Sequence, residues 1–417
     1  MGTISEEILS NHAEEEVRAG QIVISPVDFT MSQDGTTPLT IVAFDKMEGK
    51  EFKNPDRYCA VIDHSVPSPL EGVSNLHTKM REFIGEYGGT LYDIGDGVCH
   101  QLVPEKGNAL PGEVVIGADS HTCTYGALNC FSTGVGSTDL AAALITGKTW
   151  FKVPETIKLV YDGQLEKGVF SKDVALYMVG SLTHRGATYK ALELSGEVID
   201  SLSVEARMTI SNMAVETGAK VGIMRCDEKV DAYLKERAKR PYKGADPSED
   251  AEYERIVEDD LSDLPPMIAK PHEVDNVAEI EELEGMDIDQ VFIGTCTNGR
   301  LEDLTMAAKI LKGEHVAPDV RFIVSPASRE IYLKAMESGV MDALVKAGAC
   351  VTAASCGPCV GTANGIPSDN EVVISTANRN FKGRMGNINS KIYLASPATA
   401  AYSAIKGKLS DPREVMA

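Results

Sequence analysis

Apolar and polar positions follow two rhythms along this chain. In the C-terminal third, short continuous apolar runs are each followed by a stretch with apolar residues three or four apart. "QVFIG" (Gln290 to Gly294) leads into "RLEDLTMAAKIL", and "RFIVS" (Arg321 to Ser325) into "PASREIYLKAMESG". A short apolar run suits a strand covered on both faces, and 3.6-residue spacing suits a helix buried along one side. The alternation therefore predicts βα units around a mostly parallel sheet. Punctuation agrees: Ser325 with Pro326, and Ser396 with Pro397, read as N-cap and first helical residue, while Gly348 and Gly407 read as helix C-caps. The first half repeats the habit, with "YCAVID" (Tyr58 to Asp63), "EVVIGAD" (Glu113 to Asp119) and "TIKLVYDG" (Thr156 to Gly163) as buried-strand candidates. From about Arg225 to Val274 the pattern gives way to a highly charged stretch with prolines near its end, which predicts a surface excursion and an interdomain connection. No fixed-period repeat is visible, which argues against a solenoid or propeller.

Length and charge narrow the class. At 417 residues, 43% apolar, the chain exceeds what one core organises, so two to three packed domains are expected. Lys+Arg 40 against Asp+Glu 62 gives a net charge of −22, which repels phosphate backbones and disfavours nucleic acid or an anionic membrane as partner. An anionic substrate would need a local concentration of basic residues. No apolar run approaches the roughly 18 residues of a membrane span, and "MGTISEEILSNHAEEEV" lacks a signal pattern, so a soluble cytoplasmic protein is expected. Nine cysteines, odd in number and irregularly spaced, do not form a secreted disulfide framework and point to reduced thiols or metal ligands.

The thiols carry the first chemistry. "SCGPC" (Ser355 to Cys359) is a Cys-x-x-Cys in a Gly/Pro turn, open to four readings: a zinc half-site, a redox pair, iron–sulfur ligands or incidental buried thiols. Its late position and turn-rich sequel disfavour the redox pair, and the absence of a second Cys-x-x-Cys disfavours closed zinc. Cys296 in "GTCTNGR" follows the strand Gln290 to Gly294, where α/β proteins place their sites. Three thiolates, from Cys296, Cys356 and Cys359, would hold three irons of a cubane and leave the fourth open as a Lewis acid. Cys350, in strand-like "AGACVTAA", reads instead as a small buried hydrophobe.

Together with "QDGTTPL", "DHSVP", "GVCHQLVPEKG", "GADSHTCTYGA", "TISNMAVETGA", "NRNFKGRMG" and "YLASPATAA", these motifs run in one order over nearly the whole chain. The sequence resembles the aconitase superfamily, and more narrowly the stand-alone large subunits of the isopropylmalate dehydratase and homoaconitase group. The resemblance implies three α/β/α domains, mostly parallel-sheeted, packed around a central [4Fe-4S] cluster. The expected division is 1–156, 157–284 with the charged excursion 225–274, and 285–417. Cys296, Cys356 and Cys359 would be the cluster ligands. Catalytic pairs would be Asp63 with His64, Asp119 with His100, and Glu216 with His121, each carboxylate fixing an imidazole tautomer and raising its basicity. His12, His77, His184, His272 and His315 read as structural. Arg379 and Arg384 would clamp substrate carboxylates bidentately, with Gln33, Ser120, Asn212 and Asn378 completing the lining.

Aconitases carry a further mobile domain that supplies a serine base. Its equivalent is expected here on a separate small subunit, giving a heterodimer or heterotetramer. The implied reaction is a hydro-lyase isomerisation of a malate-type dicarboxylate or tricarboxylate by dehydration and rehydration, as in 2-isopropylmalate to 3-isopropylmalate in leucine biosynthesis. Alternatives are homoaconitase and methylmalate or dimethylmalate dehydratases. From a different class, a non-catalytic iron-responsive regulator is disfavoured by the net charge and by retention of all three His/carboxylate pairs.

Overall fold

Three separate sheets follow one another along the chain in this computed structural model, which describes residues 2–416. The first is wholly parallel, in the order Thr90–Tyr92, Tyr58–Val61, Phe29–Gln33, Val114–Gly117, Phe131–Gly134. Its inner strands are buried along their length, as their continuous apolar runs require. The second is also parallel: Val221–Ile223, Ala191–Ser195, Thr156–Asp162, Arg255–Asp260. The third has seven strands, in the order Val277–Glu279, Met267–Ala269, Lys391–Leu394, Val372–Ser375, Gln290–Ile293, Arg321–Val324, Cys350–Val351. Five of these are parallel, and Met267–Ala269 and Val277–Glu279 add an antiparallel edge. A two-stranded antiparallel ribbon, Ile22–Pro26 with Lys148–Lys152, stands apart.

One hydrophobic core unites the sheets. Met31 and Val61 from the first, Leu159 and Leu192 from the second, and Phe292 and Val373 from the third belong to a single buried cluster, together with Cys296, Cys356 and Cys359. The site cysteines thus lie where all three layers meet, not on an isolated turn.

Several local expectations meet the structure directly. Ser396 caps the helix Pro397–Lys406 by accepting from the Thr399 N–H, with Pro397 in its first turn. Gly348 and Gly407 end their helices in the left-handed region, at φ 108 and 68. Ser325 is not a cap: its hydroxyl pairs with Thr352, and the helix Arg329–Glu337 starts three residues later on Ser328, whose Oγ accepts from Ile331. The charged stretch 225–274 does connect the second and third sheets, but it is more than an excursion. It contains the helix Glu228–Leu234 and the edge strand Arg255–Asp260, whose charged and largely exposed residues suit a sheet edge. Met267–Ala269 and Val277–Glu279, within the span expected for the second domain, hydrogen-bond in the third sheet. Cys350 lies on a short edge strand and is exposed, so it is no core hydrophobe.

Candidate active site

Loops leaving the carboxyl ends of parallel strands supply most of the site, the position such sheets leave open for ligands. Phe29–Gln33 ends on Gln33, Tyr58–Val61 runs into Asp63 and His64, and Val114–Gly117 into Asp119, Ser120 and His121. From the third sheet, Gln290–Ile293 leads to Cys296, Cys350–Val351 to Cys356 and Cys359, and Val372–Ser375 to Asn378, Arg379 and Arg384. The second sheet contributes through the helix Val204–Met213, which carries Asn212, and the following turn with Glu216.

Each imidazole meets a carboxylate. His64 Nδ1 lies 2.6 Å from Asp63 Oδ1, His100 Nε2 2.9 Å from Asp119 Oδ1, and His121 Nε2 2.9 Å from Glu216 Oε1. Asp119 is a hub, because its Oδ1 also accepts the His121 backbone N–H at 2.8 Å and its Oδ2 lies 3.8 Å from His64 Nε2. Burial pushes the Asp119 carboxyl up, yet His100 and His121 more than reverse this and hold it well below the usual carboxylate range. Glu216 behaves alike: burial raises it, while His121 and Arg379 bring it below its ordinary value. Burial disfavours the His64 imidazolium, but Asp63 and the Cys356 sulfur outweigh burial and raise it well above the ordinary histidine value.

The three thiols are each buried where these loops meet, with Cys356, Cys359 and Cys296 at most 4% exposed. Donors converge on their sulfurs. Asn212 Nδ2 reaches Cys296 Sγ at 3.2 Å, Asn378 Nδ2 the same sulfur at 3.5 Å, and Arg384 Nη2 reaches Cys359 Sγ at 3.5 Å. Both His64 ring nitrogens lie about 4 Å from Cys356 Sγ, at 4.0 and 3.9 Å. N–H groups aimed at sulfur ease the thiolate form, against the burial that raises the Cys296 and Cys356 thiols. Asn212 and Asn378 are fully buried against sulfur, so the structure puts them beside a cysteine rather than in an open lining. Arg379 is half-engaged, its Nε donating to Glu216, whereas the buried Nε of Arg384 has no hydrogen-bond partner among the described residues. Gln33 Nε2 donates to Asp119 Oδ2 at 3.3 Å, and Ser120 and Asp119 line a cavity of about 540 Å³ with Trp150, Tyr189 and Lys220.

Sequence reading passed over several supports. Asp34 accepts from the backbone N–H groups of His64 and Ser65, both at 2.9 Å, and meets His77 Nε2 at 3.2 Å, so His77 holds the His64 loop rather than filling space. Arg300, wholly buried, donates to the carbonyls of Cys296 and Thr297 at 2.6 Å each. Thr295, beside Cys296, occupies the left-handed region at φ 73, an uncommon place for a β-branched residue. The signals were present: Asp34 follows Gln33 within "QDGTTPL", and Arg300 closes "GTCTNGR". Only the fold shows what they grip.

The chain as a whole has relatives among known proteins. A model of the aconitase family (aconitate hydratase) matches residues 6–286 and 281–407. The chain belongs to the aconitase family. It is 50% identical over 415 residues to a 3-isopropylmalate dehydratase large subunit of Elusimicrobium minutum, and 52% identical over 417 residues to one of Thermotoga maritima, each match covering 99% of both chains. A probable methanogen homoaconitase large subunit of Methanosarcina mazei is 49% identical over 394 residues, 94% of this chain and all of that one. Among the described residues, no helix is long and apolar enough to cross a membrane.

Proposed function

We propose that this chain is the large subunit of a [4Fe-4S] hydro-lyase that isomerises 2-isopropylmalate to 3-isopropylmalate, with homoaconitase chemistry as the second reading that the Methanosarcina relative favours. The observation that carries the reaction class is the meeting of three buried thiols with three His/carboxylate pairs at one junction of sheet loops. Cys296, Cys356 and Cys359 would hold the cluster. When bound, it supplies an open iron, a Lewis acid for the substrate hydroxyl and a carboxylate.

The chain's own residues handle the protons and the anion. Asp63 fixes the ring of His64 beside Cys356, so His64 presents its Nε2 in a set tautomer to a departing or entering hydroxyl, while His100, held between Asp119 and the Tyr125 hydroxyl, orients Asp119. Glu216 links His121 to Arg379 and so ties a proton carrier to a carboxylate-binding arginine. Arg384, whose Nη2 lies beside Cys359 Sγ, brings to the site a positive charge for a substrate carboxylate, which an acidic protein needs locally. The partner is a separate small subunit that supplies the base for the carbon-bound proton, in keeping with relatives named large subunits that match this chain end to end.

The test is anaerobic turnover of isopropylmalate, homocitrate and citramalate in parallel, with the small subunit co-expressed and alkene formation followed by absorbance. Preference for isopropylmalate supports the reading, and preference for homocitrate moves the chain to the second one. Wild-type turnover by Cys356→Ser, with equal iron, would remove the thiol assignment.

A further inference from the structure

Lys172 is out of place by every ordinary rule. It is wholly buried, and it stands in the first turn of the helix Ser171–Leu182, where the helix dipole disfavours a cation. Among the described residues no carboxylate pairs with its ammonium; Nζ instead donates to two main-chain carbonyls, Thr376 and Ala377, at 2.7 Å each. The nearby acids make no direct pair with it and act only through space: Asp173 accepts from the Phe170 and Met267 N–H groups, and Asp303 from Arg300 N and Asn298 Nδ2. A buried charge without a directly paired carboxylate is expensive, so the groups gathered at this junction must balance it.

The two carbonyls show what. Thr376 and Ala377 immediately precede Asn378 and Arg379, and the Thr376 carbonyl also accepts from Thr297 Oγ1 at 2.6 Å, one residue past Cys296. The Thr376 hydroxyl is bonded in turn to Gly294 on the same loop. A single ammonium from the second sheet's layer therefore sits on the knot between the loop of Cys296 and the loop of Asn378 and Arg379. We propose that Lys172 is a positioning residue for the centre: it locks these two loops together and supplies a buried counter-charge to the thiolate-bound cluster. Its surroundings agree: burial draws the ammonium down to about 7, and the Cys296 and Cys359 sulfurs, once held as thiolates by the cluster, are the strongest groups acting to restore its charge.

The inference rests on the cluster assignment above, and the experiment separates the two. Full-length wild type, Lys172→Met and Lys172→Arg are reconstituted anaerobically with iron and sulfide, then compared for iron per chain, for the rate of cluster loss in air, and for reduction potential by EPR-monitored titration. Lys172→Met should lose its cluster roughly tenfold to a hundredfold faster, the usual scale for removing a group behind the ligands. Its remaining cluster should titrate at a lower potential than wild type, because a positive charge near the reducible group has gone. Lys172→Arg keeps the charge and should stay near the wild-type potential, whatever it loses in loop geometry. If Lys172→Met does not fold, a wild-type potential in Lys172→Arg still supports the proposal and a lowered one overturns it. Wild-type retention and potential in Lys172→Met would overturn the role of Lys172 and leave the cluster assignment standing; a wild type that binds no iron–sulfur cluster overturns both.

Discussion

At the scale of single residues, the site depends on side chains that hold main chain rather than substrate. Asp34 is the clearest case. Burial raises its carboxyl, but the bond from His77, the charge of His64 and the His64 and Ser65 backbone N–H groups overturn that and depress it from 3.8 to about 2. A depressed carboxylate contributes stability that is fully present above its unfolded value and is lost as pH falls through the folded one, here between about pH 4 and 2. The gap corresponds to about 2 kcal/mol at 1.36 kcal/mol per pH unit. Asp34→Asn should therefore lower unfolding free energy by about that amount at neutral pH, and the difference from wild type should narrow as pH approaches 2. Urea titrations from pH 7 to the acid limit measure this; a constant difference across the range would show that Asp34 acts by shape and not by charge. Activity should fall along with stability, since the displaced segment carries His64.

At the scale of elements, the cysteine turn and the arginine loop are pressed together at one glycine. Gly361 follows Cys359 at φ 71, a region side-chain-bearing residues rarely adopt, and a Cβ there would stand 2.2 Å from the backbone nitrogen of Gly386. Neither backbone has a flexible end that could yield. Gly361→Ala should cost at least about 1–3 kcal/mol in the turn, and the Arg384 loop would have to move away to admit the methyl. The expected kinetic signature is a rise in KM with cluster content retained. Wild-type KM alongside a lowered melting temperature would confine the contact to a structural role.

Legibility divides along the same lines. The strands Gln290–Ile293 and Arg321–Val324 and the helix Pro397–Lys406 were readable because burial on both faces, or on one stripe, writes a local pattern. The helix start at Ser328 was not, because Ser325 offers the same cap chemistry three residues earlier and is claimed by Thr352 across the sheet. The motif cysteines and histidines stood out by residue type. Lys172 and His77 did not, since what they do is fixed by carbonyls and a carboxylate more than forty residues away in sequence.

At the scale of the whole molecule, the question is how far the fold leans on the cluster. Direct hydrogen bonds already join the layers around it. The Cys356 N–H donates to the Asp63 carbonyl at 2.9 Å and the Val98 N–H to the Ala327 carbonyl at 2.8 Å, tying the first sheet to the third. Thr209 Oγ1 donates to the Thr297 carbonyl at 2.6 Å, tying the second sheet's helix to the Cys296 loop. The shared hydrophobic core surrounds these bonds. Without metal, burial pushes the Cys296 thiol up to about 12 and the Cys356 thiol well above its ordinary value, so neither adds a buried negative charge at neutral pH. A small zinc domain, by contrast, has no core without its metal and unfolds when it is stripped. Chelation of the cluster should therefore leave a cooperatively folded chain. Hydrogen exchange should quicken in the loops 63–66, 294–298, 355–361 and 378–386, while the strands Tyr58–Val61, Gln290–Ile293 and Val372–Ser375 keep their protection. Loss of protection throughout those strands on chelation would instead mean that the cluster, and not the packing between layers, holds the three sheets together.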